Sequence, residues 1–336
     1  MNCPGDFSCA KYEILLTAGP SGLLLPPYKG STLRGGFASA FQRLVCVKKN
    51  YACPNCLLKE NCPYHLVFET SPPPGSQVLR NLSSIPRPFI LEPPLERRTE
   101  YRPGEEVCFK LLLFGRVQNL LPYFIITLEE LGRLGMGKGR RPFAVKEIAA
   151  EGFDGDQREV VYRGEEKLVR AKELVITAAE IWREETDNHN GEKVVLRFLT
   201  PTRLFFQSTI TSRPHFHILV RNLLRRISSL CYFFHGYTWE EDFVGIIKRA
   251  EEVRLVKDNT TWFNWERYSS RHERKIELGG LVGEAVYEGP IGEFRPLLRL
   301  GELIHAGKGV VFGLGLYEIG ETGRPVPPEG FSWDQS

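Results

Sequence analysis

The sequence predicts an α+β protein made of two tandem ferredoxin-like domains, and two observations support this prediction. Each half contains a strand, a helix, two hairpin strands, a second helix and a last strand, which is the βαββαβ order of that fold. A Gly-Lys-Gly turn at residues 137–139 recurs at residues 307–309, so the two turns lie half of the 336-residue chain apart. We expect an N-terminal domain at residues 1–165 and a C-terminal domain at residues 166–336.

The N-terminal half begins with a strand, because apolar and polar residues alternate over residues 11–17. Residues 31–45 predict a helix in which Leu33, Phe37 and Phe41 share one face. A proline-rich insertion follows at residues 71–94. A helix that ends in Leu-Gly, the first Gly-Lys-Gly turn and a strand complete this half.

The C-terminal half repeats the same plan. Residues 193–199 predict the first strand, and residues 216–233 predict an amphipathic helix that bears Arg221, Arg225 and Arg226. A helix end at residues 300–304, a glycine-rich loop at residues 307–315 and a strand follow. In a strand-rich region this density of glycine is costly, because glycine loses the most backbone freedom on folding.

Two explanations of the glycine-rich loop remain open on the sequence. One is close approach of a phosphate-bearing ligand to backbone that carries no side chains. The other is a helix C-cap followed by a strand in which glycines relieve side-chain crowding. A nucleotide-binding P-loop is disfavoured because Gly309, and not a hydroxyl residue, follows Lys308. The glycine spacing also differs from the dinucleotide fingerprint, which disfavours a nucleotide-binding enzyme.

Composition places the chain among soluble globular proteins, with 42% hydrophobic and 25% charged residues. The net charge of +3 is small, so any basic surface must be local. No apolar run is long enough to span a membrane, and the first residues lack the basic and apolar regions of a signal peptide. We therefore expect a cytoplasmic protein whose cysteines are free thiols or metal ligands and do not form disulfides.

Four of the eight cysteines are closely spaced after the first predicted helix. They are Cys46, Cys53, Cys56 and Cys62. Four thiolates make a tetrahedral zinc site or hold an iron–sulfur cluster, and we expect structural zinc with the cluster as the alternative. Either would fix the cysteine-rich loop at residues 46–62.

Several blocks of the chain resemble the CRISPR repeat-processing endoribonucleases of the RAMP superfamily. The most specific are residues 278–289 and 294–315, and further similarity lies at residues 30–37, 200–204, 219–226 and 265–271. The resemblance implies two ferredoxin-like folds that bind the repeat of a CRISPR transcript and cut it once per repeat. It implies a metal-independent reaction in which the 2′-hydroxyl attacks the adjacent phosphate and leaves a 2′,3′-cyclic phosphate and a 5′-hydroxyl.

An alternative function is a catalytically silent repeat-RNA-binding subunit of a CRISPR interference complex. Many catalytic members of the family carry a histidine in or just after the first helix, and residues 33–43 contain none. The expected partners under either function are repeat RNA or crRNA and other CRISPR effector subunits, with no membrane.

Candidate site residues follow from these patterns. For the proton and phosphate steps we expect His305, Lys308 and His65, because histidine titrates near neutral pH and a cation stabilises the phosphorane. His215 and His217 open a helix, and we expect a structural role for them. For RNA binding we expect the loop glycines Gly307, Gly309, Gly313 and Gly315, together with Lys138, Arg140, Arg141, Arg34, Arg203, Arg267, Tyr268 and Arg271.

Overall fold

A computed structural model describes residues 1–48, 53–72, 85–170, 174–186, 192–269 and 274–320. The chain forms two compact units. The N-terminal unit comprises residues 8–176 and 229–237, and the C-terminal unit comprises residues 1–7, 177–228 and 238–336.

The elements of the N-terminal unit, in chain order, are β1 Ser8–Ala18, β2 Leu23–Leu24, α1 Gly30–Val45, α2 Pro63–Phe68, β3 Phe89–Glu92, β4 Glu100–Tyr101, β5 Glu106–Phe114, α3 Leu121–Leu134, β6 Phe143–Glu151, β7 Arg158–Arg163, β8 Leu168–Val169 and β9 Val175–Thr177. Those that follow are α4 Ala178–Thr186, β10 Lys193–Thr202, β11 Phe205–Phe206, β12 Thr209–Ile210, α5 Phe216–Leu230, α6 Phe243–Ala250, β13 Arg254–Phe263, β14 Glu266–Ser269, β15 Arg274–Glu277, β16 Gly280–Glu288, α7 Arg295–Ile304 and β17 Tyr317–Gly320.

The N-terminal sheet has the strand order β3-β5-β1-β6-β7-β8, and β9 also pairs with β1. The first long strand is central because Tyr12, Ile14 and Leu16 are buried in alternation with half-buried residues. Helices α1 and α3 pack against each other. Between the helices and the sheet lies a cluster of aromatic rings, in which Phe37 and Phe124 stack at 5.1 Å.

The C-terminal sheet has the order β13-β16-β10-β17. Its first long strand, β10, is again central and pairs with the last strand, β17, and with the strand before α7. This order repeats that of β3, β5, β1 and β6 in the N-terminal unit. The two ferredoxin-like folds that the sequence predicted are therefore confirmed.

Residues 229–237 leave the C-terminal unit and complete the N-terminal unit. The predicted helix over residues 216–233 ends at Leu230, and a π-helical turn follows at Cys231–His235. The His235 imidazole accepts a hydrogen bond from the Ser8 N–H at 3.0 Å through Nε2. Its Nδ1 donates to the Leu230 carbonyl at 3.1 Å, so the ring joins the start of β1 to the end of α5.

Within the described ranges, no helix is both long and apolar enough to cross a bilayer.

Candidate nucleic-acid interface

The two Gly-Lys-Gly turns hold equivalent places in their units. In the N-terminal unit the Lys138 N–H donates to the Leu24 carbonyl at 2.9 Å, just after β1. In the C-terminal unit the Lys308 N–H donates to the Arg203 carbonyl at 3.0 Å, just after β10. The sequence echo therefore reflects one local structure that is used twice.

Gly137, Gly307 and Gly315 are required by the protein's own backbone. Gly137 and Gly307 have φ values of +73° and +85°, and a Cβ atom would lie 2.2 Å from the Leu24 oxygen and 2.4 Å from the Arg203 oxygen. A Cβ at Gly315 would lie 2.0 Å from the Ala306 oxygen. This close approach within the chain explains Gly137, Gly307 and Gly315 without a ligand. RNA contact by Gly307, Gly309, Gly313 and Gly315 stays a prediction.

Hydrogen bonds fix the loop at residues 305–315 onto the end of β10. The buried Thr200 hydroxyl donates to the Gly313 carbonyl at 2.8 Å and accepts from the Leu316 N–H at 2.9 Å. The Ala306 N–H donates to the Gly315 carbonyl at 2.9 Å and closes the loop. The loop therefore presents Lys308 from a preorganised backbone.

His305 is completely buried at the start of this loop. Its Nδ1 donates to the Leu314 carbonyl at 3.0 Å, and its backbone has φ +60° and ψ +159°. In the N-terminal unit the matching position is Gly135, with φ +81° and ψ +157°. The structure thus gives His305 a structural contact and no solvent exposure, and its role in proton transfer stays a prediction.

Lys308 stands over an aromatic ring beside other cations. Its Nζ lies 3.6 Å from the centroid of Phe205, and the Arg225 guanidinium lies 5.7 Å from the same ring. Partial burial lowers the pKa of Lys308, and the charges of Arg225 and Arg203 lower it further. Arg203 itself binds the chain, because its Nη1 donates to the carbonyls of Glu277 at 2.9 Å and Gly279 at 3.0 Å.

The same surface continues along α5. Residues 217, 221 and 225 are spaced by four and share one face of this helix. Arg221 lies 5.7 Å from the Phe206 ring, the His217 ring meets Phe206 edge-on at 5.7 Å, and His215 stacks on His217 at 5.9 Å. We call the whole set the cation–aromatic strip: Phe205, Phe206, His215, His217, Arg221, Arg225 and Lys308.

A buried amide holds the strip together. The Asn222 Oδ1 accepts the Phe205 N–H at 3.1 Å, and its Nδ2 donates to the carbonyls of Phe205 at 3.1 Å and Ile218 at 2.8 Å. Asn222 is only 4% exposed. The backbone of Phe205, in the short β11–β12 hairpin, is therefore fixed relative to α5.

The candidates of the N-terminal unit lie on separate elements of that unit. The Arg34 guanidinium lies 5.6 Å from the Phe68 ring, and the Arg141 Nη1 donates to the Ser21 carbonyl at 2.8 Å. Lys138 and Arg140 are exposed on the first turn. Their contact with RNA stays a prediction.

His65 is 9% exposed within α2, where its Nε2 lies 3.4 Å from the Ser71 hydroxyl oxygen. Burial lowers its pKa and favours the neutral ring. Arg267 and Tyr268 lie on β14, but their side chains are outside the described part of the structure, as is the whole of Arg271.

The four clustered cysteines are free, half-buried thiols. Cys46 follows the end of α1, and Cys62 precedes α2. Burial raises the pKa of Cys53, and the charges of Glu69, Cys46, Cys62 and Cys56 raise it further, which places the thiols within electrostatic range. The donor type suits zinc, yet among the described residues no three His, Cys, Asp or Glu side chains are arranged to hold a metal ion.

Comparison with known families decides the assignment. Residues 7–174, half of the chain, match the family AF_1859_N, described as an N-terminal domain. Residues 196–317 match the family of the CRISPR-associated endoribonuclease Cas6. The chain belongs to the family AF_1859_N, and its C-terminal part is similar to the Cas6 endoribonuclease domain. The family predicted from the sequence and its class, the CRISPR repeat endoribonucleases, are thereby confirmed.

Individual relatives are distant. An uncharacterized protein of Archaeoglobus fulgidus is 25% identical over 303 residues, which is 88% of this chain and 92% of the relative. A Cas6 product complex from Thermus thermophilus has a TM-score of 0.55 at 16% identity and covers 92% of this chain and 99% of its own.

A Cas6-RT-Cas1–Cas2 complex has a TM-score of 0.59 at 11% identity and covers 95% of this chain. Our chain spans about half of that longer protein, at 47%. At such identities both solved structures establish a shared fold.

Proposed function

We propose that this protein binds CRISPR repeat RNA on the cation–aromatic strip and cuts it once per repeat without a metal ion. The products are a 2′,3′-cyclic phosphate and a 5′-hydroxyl. The observation that carries the proposal is the stacking of Lys308 on Phe205, beside Arg225 and on a loop held by five hydrogen bonds to its own chain and to the end of β10. Transcript processing would take place in the cytoplasm.

Each part of the strip matches a part of RNA. Arg221 and Arg225, one helical turn apart on α5, and Lys308 on its loop supply cations for phosphates. Phe205 and Phe206 offer rings on which unpaired bases stack, at about 1–3 kcal/mol per base. Because Asn222 fixes the Phe205 backbone, less backbone freedom is lost at this position on binding.

The test uses purified protein, labelled repeat RNA and EDTA. We expect one cut per repeat, with a cyclic phosphate end that acid opens and phosphatase alone does not remove. Lys308→Glu should weaken binding by at least tenfold, because it reverses a charge inside the strip. Lys248→Glu on the exposed face of α6 is the matched control and should bind like the wild type. Equal binding by both variants would contradict the assignment of the strip.

The second candidate function is a repeat-binding subunit that does not cut. Residues 33–43 of α1 contain no histidine, and both His65 and His305 are buried. Tight binding without cleavage in the same assay supports this function, and the retained RNA would then pass to other CRISPR effector subunits.

We also propose that Cys46, Cys53, Cys56 and Cys62 bind a structural zinc ion, with an iron–sulfur cluster as the alternative. The support is the donor set, the mutual electrostatic range of the thiols and their position between α1 and α2. Thiolates are the ligands both groups prefer. The metal would fix the loop between these helices and takes no part in cleavage.

A further inference from the structure

We propose that His215 and His217 are the proton-transfer pair of the cleavage reaction, with His217 as the base and His215 as the acid. This inference rests on the proposed function. It moves the chemistry from His305 and His65 to two residues whose pattern predicted only a structural role.

Accessibility separates the histidines of the described ranges. His305 is fully buried, His65 is 9% exposed, and His235 is bonded through both ring nitrogens to backbone. By contrast, His215 is exposed and His217 is half-buried at the start of α5. Only a ring that RNA can touch is able to exchange a proton with it.

Geometry places this pair where a phosphodiester would lie. The two rings are 5.9 Å apart with planes 21° from parallel, a separation that one phosphodiester group can bridge. Phe206 lies 5.7 Å from the His217 ring, and Arg221 lies 5.7 Å from Phe206. A base stacked on Phe206 would bring its own phosphate between the histidines and the Arg221 guanidinium.

Electrostatics suit the base to its task. Burial lowers the pKa of His217; among the charged groups that face it, His215 and Arg221 lower the pKa further, and Glu251 opposes them. The neutral ring is therefore favoured at neutral pH, as proton abstraction requires.

The step balances without a cofactor. Neutral His217 takes the 2′-hydroxyl proton as the 2′-oxygen forms a bond to phosphorus. The bond from phosphorus to the 5′-oxygen breaks, and protonated His215 gives its proton to that leaving oxygen. Arg221 stabilises the additional negative charge of the phosphorane. Proton exchange with water then restores both rings.

The experiment compares His215→Gln, His217→Gln and the exposed neighbour Ser212→Ala as the control. Repeat RNA is cut in EDTA under single-turnover conditions with protein in excess, and affinity is measured separately. We expect each histidine variant to lose about 10²–10⁴-fold in rate at saturating protein, a loss far larger than its change in affinity. His217→Gln should abolish the acidic limb of the pH–rate profile, and His215→Gln the basic limb.

The outcomes separate the two proposals. If the wild type cuts and both histidine variants cut at its rate, the pair is wrong and the cleavage function stands. A changed rate with both limbs of the pH profile intact also overturns the pair, because it marks a structural role. If the wild type binds repeat RNA and leaves it uncut, both the cleavage function and the catalytic role of His215 and His217 are rejected.

Discussion

His305 adopts a backbone conformation that glycine occupies at the matching place of the N-terminal unit. A side chain at φ +60° and ψ +159° costs about 1–3 kcal/mol. The imidazole offsets part of this cost with its hydrogen bond to Leu314, worth about 0.5–1.5 kcal/mol. The residue therefore fixes the loop at residues 305–315 under strain.

Because of this strain, we expect glycine at position 305 to give a more stable protein than alanine, which is the reverse of the usual order. His305→Ala loses the hydrogen bond and keeps the strained backbone, whereas His305→Gly loses both. We expect the glycine variant to be the more stable of the two by about 1–3 kcal/mol, although glycine normally lies below alanine. Urea denaturation of the two variants measures the difference, and an alanine variant of equal or greater stability would show that the backbone is not strained.

At the scale of elements, helix α1 begins beside a buried lysine. Lys29 has no exposed surface, and its Nζ donates to the Glu96 carbonyl at 2.8 Å and the Pro27 carbonyl at 3.3 Å. Burial lowers its pKa to about 8. The start of α1 thus carries a charge that folding disfavours.

The sign of the pH dependence follows from this lowered pKa. Between the folded pKa of about 8 and the model-peptide value near 10.5, the unfolded chain binds the proton and the folded chain does not. The free energy of unfolding should therefore rise with pH across this window, by up to about 1.4 kcal/mol per pH unit. The quantity to measure is the free energy of unfolding of the wild type minus that of Lys29→Met, as a function of pH. The contributions of the other titrating groups cancel in this difference. A difference that is flat or falls with pH contradicts the prediction.

Metal analysis tests whether the cysteine-rich segment at residues 46–62 binds zinc or an iron–sulfur cluster. We expect one zinc ion per chain by elemental analysis and no visible absorption, whereas an iron–sulfur cluster would absorb in the visible range. Cys53→Ser with Cys56→Ser should lose the metal and loosen the loop, as measured by proteolysis. Cys3→Ser, outside the segment, is the control. Protein that holds neither metal nor cluster when purified anaerobically rejects the site.

Elements with a regular period were predictable, and the strip was not. Helix α1, strand β1 and the paired Gly-Lys-Gly turns followed from apolar spacing and from the echo of one motif. Phe205 and Phe206 form β11, a strand of two residues that is too short for a period, and the backbone of Phe205 is held by the distant amide of Asn222. The spacing of His217, Arg221 and Arg225 on α5 is the sequence signal that could have indicated this surface, and the sequence analysis assigned it no RNA contact.

The glycine-rich loop shows why site prediction stopped short. The pattern identified backbone that tolerates no side chain, but it did not tell whether a ligand or the chain itself lies opposite. Contact between Gly307 and the Arg203 carbonyl is a tertiary fact, set by how the loop meets the end of β10. The same holds for His305, because its burial depends on packing that no local pattern records.

Over the whole molecule, the net charge of +3 is too small to hold RNA without a local cluster. The strip supplies three cations, so the logarithm of affinity should fall with the logarithm of salt concentration with a slope of at least about −2, at roughly 0.7 per phosphate contact on single-stranded RNA. Replacing Arg221, Arg225 and Lys308 by glutamine together should flatten the slope by about 2. Filter binding from 50 to 300 mM salt measures both slopes, and an unchanged slope would place the RNA elsewhere.

The return of residues 229–237 to the N-terminal unit bears on how the protein is made. The Ser8 N–H donates to the His235 ring, and Gly115, at φ +55°, lies against the Phe234 carbonyl. A nascent chain that has emerged only as far as β9 therefore lacks a piece of its first core. On the ribosome the N-terminal unit is completed only after the first strand and helix of the C-terminal unit have been synthesised, so the two units mature as overlapping stages of one process.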